Sequence, residues 1–515
     1  MLPVSPNFLN GKPLRIYKYD GDQMASETIY SYHLRRSDTI RSFYVYPRTS
    51  TCIKYNFQIA WYPFSQVTEY LYDTQATNAA PMNNTTSYEI DDYLQHTRAE
   101  TVRDNTTYST TYKYVYDYPN DNVCSAMAAA NILLPVEAID YADSQITGGK
   151  RYVYQQAGSL FLPYKVRTLD ISASVTESNY SNHFHDDVVF NSFDSHGNVL
   201  QMTVKGMPVT YIWSYKGELP VAEIRNATYS QLSANINFSS FCSKTSLSSQ
   251  DITQLNSLRS LYPSSEVTVL KYNNRHLVSE MTDPQGQKLR YEYDSQGRLT
   301  NQSVVIDGTS QRAKSYKYAI SDRYIRERTY IKSDTSQYLE NYRLFYGFGR
   351  PIAATTGGVL TSGNSLVEMV DYDEGGRKTR EWLPVPADSS GIFGNLDGLR
   401  DYYNTNHGDT AAYAQTDYDG LDRVTRTWAP GTAWRTRPTT TEYRLNEASD
   451  SIRRYSVPLF ADNLVTGGFH AASQLRKEVT TDPDQRRVTQ FIDKRGNMIL
   501  ERRHNGNEKI DTYYV

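Results

Sequence analysis

From residue 289 to 293 the chain alternates. Leu289, Tyr291 and Tyr293 are separated by Arg290 and Glu292, the period-two pattern of a strand with one buried face. Runs of similar kind occur at Arg41 to Tyr46 and at Tyr112 to Tyr116, and Glu508 to Val515 reads as a further strand. Helical spacing is confined to short stretches. Ala and Met cluster from Asn122 to Leu134, with Pro135 as the stop; Ser249 caps a run in which Leu255, Leu258 and Leu261 fall on one helical face, ended by Pro263. A third short helix is predicted at Asn395 to Tyr403, inside a Gly- and Asp-rich stretch from Ala387 to Asp409. The pattern predicts a mostly β protein with two or three short helices.

Between the predicted strands one motif recurs: an aromatic residue, Asp, two or three polar residues, then Gly and Arg or Asn. It reads Tyr293-Asp294-Ser295-Gln296-Gly297-Arg298 and Tyr372-Asp373-Glu374-Gly375-Gly376-Arg377, with looser copies at Phe193 to Asn198 and Ile492 to Asn497. Tyr418 to Arg423 keeps the frame but has Asp422 where Gly is expected, and Tyr346 to Arg350 is a shortened relative. Asp opens a turn by accepting a backbone N–H two residues on. Gly takes the left-handed conformation that side chains resist. Each copy is therefore a hairpin tip. A second tip, Asp283-Pro284-Gln285-Gly286, and its degraded copy Asp482-Pro483-Asp484-Gln485 precede an Asp-Gly tip by the same interval, which leaves room for one ordinary strand. Consecutive hairpins of this kind predict a large curved antiparallel sheet.

Composition agrees with a thin sheet. Of the 515 residues 39% are hydrophobic, and 45 are Tyr against 16 Phe and 5 Trp. Tyrosine buries a ring while its hydroxyl finds water or a partner. Net charge is −3 with basic residues scattered, which argues against a nucleic-acid surface. No apolar run is long enough to span a bilayer, and no export signal is visible at the N-terminus. Cys52, Cys124 and Cys242 form neither a zinc spacing nor a disulfide framework.

Candidate chemistry is sparse. His183 and His185, in His183-Phe184-His185-Asp186-Asp187, would share one face of a strand and approach one cation, but further ligands cannot be identified. The bland reading is a polar strand leading into the Phe193-Asp194 turn. Asp194, Asp294, Asp373 and Asp493 recur in one turn slot, which suits turn-formers better than catalytic carboxylates. Gly347 to Arg350 and Thr356 to Gly358 lack the context of a phosphate loop. Trp61, Trp213 and Trp434 suit packing within sheets better than sugar stacking. No catalytic, cofactor or metal site is assigned.

The tips at Tyr293 to Arg298 and Tyr372 to Arg377 resemble RHS/YD-repeat proteins, a superfamily that includes bacterial Rhs proteins, toxin-complex cocoon subunits and animal teneurins. A narrower likeness is to large bacterial RHS proteins with a region of unknown function ahead of their core. It rests on Ile212 to Tyr215 with Pro220-Val221-Ala222 and Asn226 to Tyr229, on Tyr418 to Trp434, and on Phe491 to Asn497 with Arg502-Arg503 and Thr512 to Tyr514. The resemblance covers roughly residues 190 to 515. It implies a spiralling sheet wound into a shell, non-enzymatic, secreted or at the cell surface, enclosing or presenting a C-terminal toxin or effector of a longer parent chain. Other relatives imply an adhesin that binds surface glycans or proteins. Three regions are expected: a β-rich N-terminal part (1–190), a repeat region with one helix (191–342), and further hairpins of unknown role (343–515).

Overall fold

In the computed structural model residues 11–515 are described, apart from 35, 46–51, 77–78, 104–105, 173, 333–334, 348, 358–364, 388–397, 399, 402–403, 406–407, 459 and 507. The helix predicted at Asn395 to Tyr403 falls largely outside the described residues. Among the described residues thirty-one strands form one sheet, and every pairing in it is antiparallel. From Arg15–Asp20 to Glu508–Tyr513, each strand bonds to its neighbours in chain order, so the sheet is a single meandering ribbon. Two hairpins stand aside from it: Arg36–Val45 with Cys52–Trp61, and Arg453–Ser456 with Val465–Phe469. Strand Ser365–Tyr372 is shared, its first half pairing with Val385–Ala387 and its second with Lys378–Trp382. The ribbon runs unbroken across residues 190 and 342. In strand Lys288–Tyr293 the odd-numbered residues are half-buried and Arg290 and Glu292 exposed, as the alternation predicts.

The tips form as their sequence dictates. Asp294 Oδ1 accepts the amides of Gln296 (2.9 Å) and Arg298 (3.0 Å), and Gly297 has φ +81°. Asp422, standing in for glycine, is also left-handed at φ 64°. The structure adds tips that the sequence hid. Asn273 Oδ1 holds the amides of Arg275 and Leu277, with His276 at φ 61°. Asp91 Oδ1 holds those of Tyr93 and Gln95, with Leu94 at φ 69°. A side chain in that slot costs about 1 kcal/mol or more, and the surrounding ladder tolerates it.

Where a tip carries tyrosine and arginine, both side chains bond sideways. Tyr293 donates its hydroxyl to Val278 O (2.8 Å), Tyr372 to Pro351 O (2.6 Å), Tyr418 to Lys378 O (2.9 Å) and Tyr443 to Val424 O (2.9 Å). Each acceptor opens the preceding return strand, just past the previous tip. Trp213 does the same with its indole N–H to Val199 O (2.8 Å). The tip arginine bridges its own Asp and lies over a later tyrosine: Arg377 over Tyr418 at 5.0 Å, Arg423 over Tyr443 at 4.2 Å. Phenylalanine could fill the space but could not donate to the carbonyl. This is why the chain uses tyrosine.

The largest apolar core lies where an insertion between strands Leu219–Arg225 and Glu266–Tyr272 crosses the sheet face. It contains three helices beyond α1 (Asn122–Ala129): α2 (Tyr229–Leu232), α3 (Phe238–Ser243) and α4 (Ser249–Leu261). Leu232, Ile236, Phe241, Leu255 and Leu258 pack on Ile212, Val221, Ile224 and Val267. The cap of α4 is Ser248, one residue before the expected Ser249, because Asp251 completes a capping box with it. Leu261 is exposed rather than in the core. Helix α1 stops at Ala129, well short of Leu134. Asn131 turns left-handed at φ 57° and ends it, while Pro135 opens a strand. No helix among the described residues is long and apolar enough to cross a membrane.

Candidate functional site

In a meander the strands run across the ribbon and the turns line its two rims. The strand order puts every Asp-Gly tip (Asp194, Asp294, Asp373, Asp419 and Asp493) on one rim. Both Asp-Pro tips, at Asp283 and Asp482, lie on the other.

These rims meet. Gly420 N donates to Asp20 Oδ1 (3.2 Å), 400 residues away in the chain. Asp73, its side chain 2% exposed, accepts from Arg444 Nε (3.2 Å) and Leu445 N (3.1 Å), 371 and 372 residues away. The Arg495 guanidinium lies 4.8 Å from the centre of the Tyr108 ring. All three contacts join the Asp-Gly rim of the late strands to the opposite rim of the first strands. The offset is nearly constant, so the ribbon has turned through one circuit and seats its later rim on its own beginning. Gly420 marks how close the seam is: a Cβ there would lie 1.7 Å from Tyr19 O and 2.6 Å from Tyr19 C. Sequence reading missed this seam because its partners are too far apart in the chain for any local signal.

A groove of about 830 Å³ is lined by Tyr346, Arg350, Asp371, Asp373, Arg380 and Asp417, among others. Two of its carboxylates, Asp371 and Asp373, are tied to the wall. Asp371 accepts from Trp382 Nε1 (2.9 Å) and Arg400 (2.7 Å). Burial would push Asp373 up, but hydrogen bonds from the amide and guanidinium of Arg377 outweigh it and hold the carboxyl below its usual range. That is the electrostatics of a turn rather than of a general acid.

The two histidines singled out by sequence do not occupy alternate positions of one strand. His183 has φ −105° and ψ 19° at the end of a short 3-10 turn, and the strand begins at Phe184. His185 sits between Asp170 (2.9 Å) and Asp187 (3.2 Å). The described residues instead bring together Asp194, His196 and Cys242, whose ligand atoms lie within 4.8 Å of one another. Sequence reading found no zinc spacing at the cysteines, because Cys242 reaches His196 only through the insertion folding back over the sheet. Cys124 is buried in the core beside α1, where burial pushes its thiol up to about 11; Cys52 is exposed.

Residues 272–309 match the RHS repeat family, and residues 314–446 match a domain of unknown function, DUF6443. Among curated proteins none matches the sequence. Among solved structures, the crystal structure of TcdB2-TccC3 is similar to 95% of this chain, with a TM-score of 0.57 and 11% identity. The crystal structure of TcdB2-TccC3 without hypervariable C-terminal region matches with the same score, 10% identity and 95% of this chain. The likeness is one of fold, and this chain spans only 27% and 29% of those two.

Proposed function

Since the chain carries the RHS repeat, we propose that it is a non-enzymatic wall segment of a β-shell in a large secreted or cell-surface protein. The enclosed space would hold, or the rim present, a C-terminal effector portion of the parent polypeptide. The observation that supports this is the seam. A ribbon whose rim returns to its own start after one circuit builds a wall around a space, whereas a flat or open sheet leaves no interior. The three stretches 1–190, 191–342 and 343–515 are, in this reading, successive lengths of one wall. The hypervariable C-terminal region named for one solved neighbour suggests where a passenger would lie. The tyrosine pegs and Asp–Arg–Tyr ladders are the mechanism: they bond hairpin to hairpin without needing a deep core.

The test is protease protection of the parent polypeptide. A downstream segment should resist digestion while the wall is intact. It should become cleavable in a variant that opens the seam, such as Asp73→Arg with Gly420→Ala. A downstream segment equally cleavable in both, or a parent with none, would refute the enclosure.

A further inference from the structure

At three tips the outer carboxylate oxygen of Asp is neutralised by the arginine four residues on: Asp294 by Arg298 (2.7 Å), Asp373 by Arg377 (2.8 Å) and Asp419 by Arg423 (2.7 Å). At Asp493 the cation comes from Arg495 (3.4 Å). The Asp194 tip has neither arginine. Asn198 takes the place of the first, donating from Nδ2 to Asp194 Oδ2 (3.0 Å) and to Gly217 O (2.7 Å). His196 takes the place of the second, with Nδ1 3.6 Å from Asp194 Oδ2. Yet the Asp194 side chain is only 11% exposed, an anion well out of water.

The third group comes from far along the chain. Cys242, in α3, places Sγ 3.8 Å from the same Oδ2. The backbone closes over the cluster at Gly217, φ +81°, where a Cβ would lie 3.0 Å from His196 Nδ1 and 3.3 Å from Cys242 Sγ. The other carboxylate oxygen is already fixed, since Asp194 Oδ1 accepts the amides of His196 (2.9 Å) and Asn198 (2.9 Å).

Zinc bonds of about 2.0 to 2.3 Å in tetrahedral geometry hold ligand atoms roughly 3.3 to 3.6 Å apart. The two spacings from Asp194 Oδ2, 3.6 Å to His196 and 3.8 Å to Cys242, are within a few tenths of an ångström of that, and the three ligand atoms all lie within 4.8 Å of one another. We propose that Asp194, His196 and Cys242 form a Zn²⁺ site, with one carboxylate, one imidazole and one thiolate on the metal and water in the fourth position. Binding releases the thiol proton to solvent, and the thiolate and carboxylate together balance the charge of the ion. Thiolate and imidazole select zinc over calcium or magnesium, which take oxygen ligands. The ion would tie the far end of the helical insertion to the Asp-Gly rim. This inference rests on the tip and on α3, not on the shell reading.

The test uses the full chain in a Cys52→Ser background, titrated with Co²⁺ as a spectroscopic stand-in and with Zn²⁺ in competition. A thiolate-to-cobalt charge-transfer band should grow to one equivalent and be displaced by Zn²⁺. Cys242→Ser should abolish the band, and His196→Gln should weaken binding by more than about tenfold. Asn198→Arg restores the cation found at the other tips. It should keep the tip folded by circular dichroism and eliminate binding, while His185→Gln should leave binding unchanged. No band in the parent chain, or one that survives Cys242→Ser or Asn198→Arg, would overturn the assignment.

Discussion

Gly420 sits in a slot that other tips fill with Ser195, Ser295, Glu374 or Lys494, and its φ is not positive. The turn itself therefore does not need glycine there. Without the seam, Gly420→Ala would stabilise the chain by about 0.4–1 kcal/mol by restricting the unfolded state. With the seam, the new methyl would lie 1.7 Å from Tyr19 O and 2.9 Å from Asp20 Cα, where carbon contacts belong near 3.5 Å. The obstacle is backbone, so the rims must part by more than an ångström. That costs about 1–3 kcal/mol of overpacking and about 1 kcal/mol for the Gly420–Asp20 hydrogen bond. The two readings differ in sign. Hydrogen exchange of residues 15–23, with the thermal midpoint as a second measure, should show faster exchange and a lower midpoint. An unchanged exchange rate with a raised midpoint would refute the seam.

Three further perturbations test the parts of the repeat. Tyr293→Phe keeps the ring and removes the bond to Val278 O; the chain should lose about 1 kcal/mol in denaturant unfolding, and no loss would mean the pegs are incidental. Gln485 is left-handed at φ 65° where the sister tip has Gly286, so Gln485→Gly should raise stability by about 0.5 kcal/mol once unfolded-state entropy is subtracted, read as a shift in the same midpoint. Asp511 is held below the ordinary carboxylate range, chiefly by hydrogen bonds from Arg502, which approaches at 2.7 and 2.8 Å. A depressed folded value means its contribution is complete above the unfolded value of about 3.9 and lost as pH falls through the lower folded one. The difference in thermal midpoint between the parent and Asp511→Asn should be present at pH 6 and vanish in strong acid; a difference independent of pH would contradict the assignment.

What could be read from sequence was whatever is encoded locally. Asp294 with Gly297, and Asp373 with Gly376, announce their turns because the carboxylate and the missing Cβ act within five residues. Leu255 and Leu258 were legible by helical spacing. The hidden tips fail that test, since Leu94 and His276 adopt the glycine conformation without being glycine, and only the paired ladder on either side makes them do so. Helices α2 and α3 were missed because four and six residues are too few for a periodicity. Their order comes from Leu232, Phe238 and Phe241 sitting on the sheet. The metal-capable cluster was missed for a related reason: the insertion carries Cys242 across the sheet to a tip 48 residues earlier.

The low hydrophobic content, 39%, now has a physical account. A compact domain of this length would stabilise itself by depth, burying apolar volume that scales with its size. A one-layer ribbon cannot, because most of its residues lie near a surface, and its strands are half-buried along much of their length. Its cohesion must come from bonds made between neighbouring hairpins, and such bonds need groups that are apolar in body and polar at the tip. Tyrosine donating to the preceding strand and arginine stacked on a later ring meet that need. They also explain why the motif carries an aromatic, an acid, a glycine and a base together. Each residue faces a different neighbour: the earlier hairpin, its own turn, the left-handed bend and the next ring. Where the base is replaced and no neighbouring arginine stands in, at Asn198, one of those bonds is missing, and a helical insertion lies over the gap.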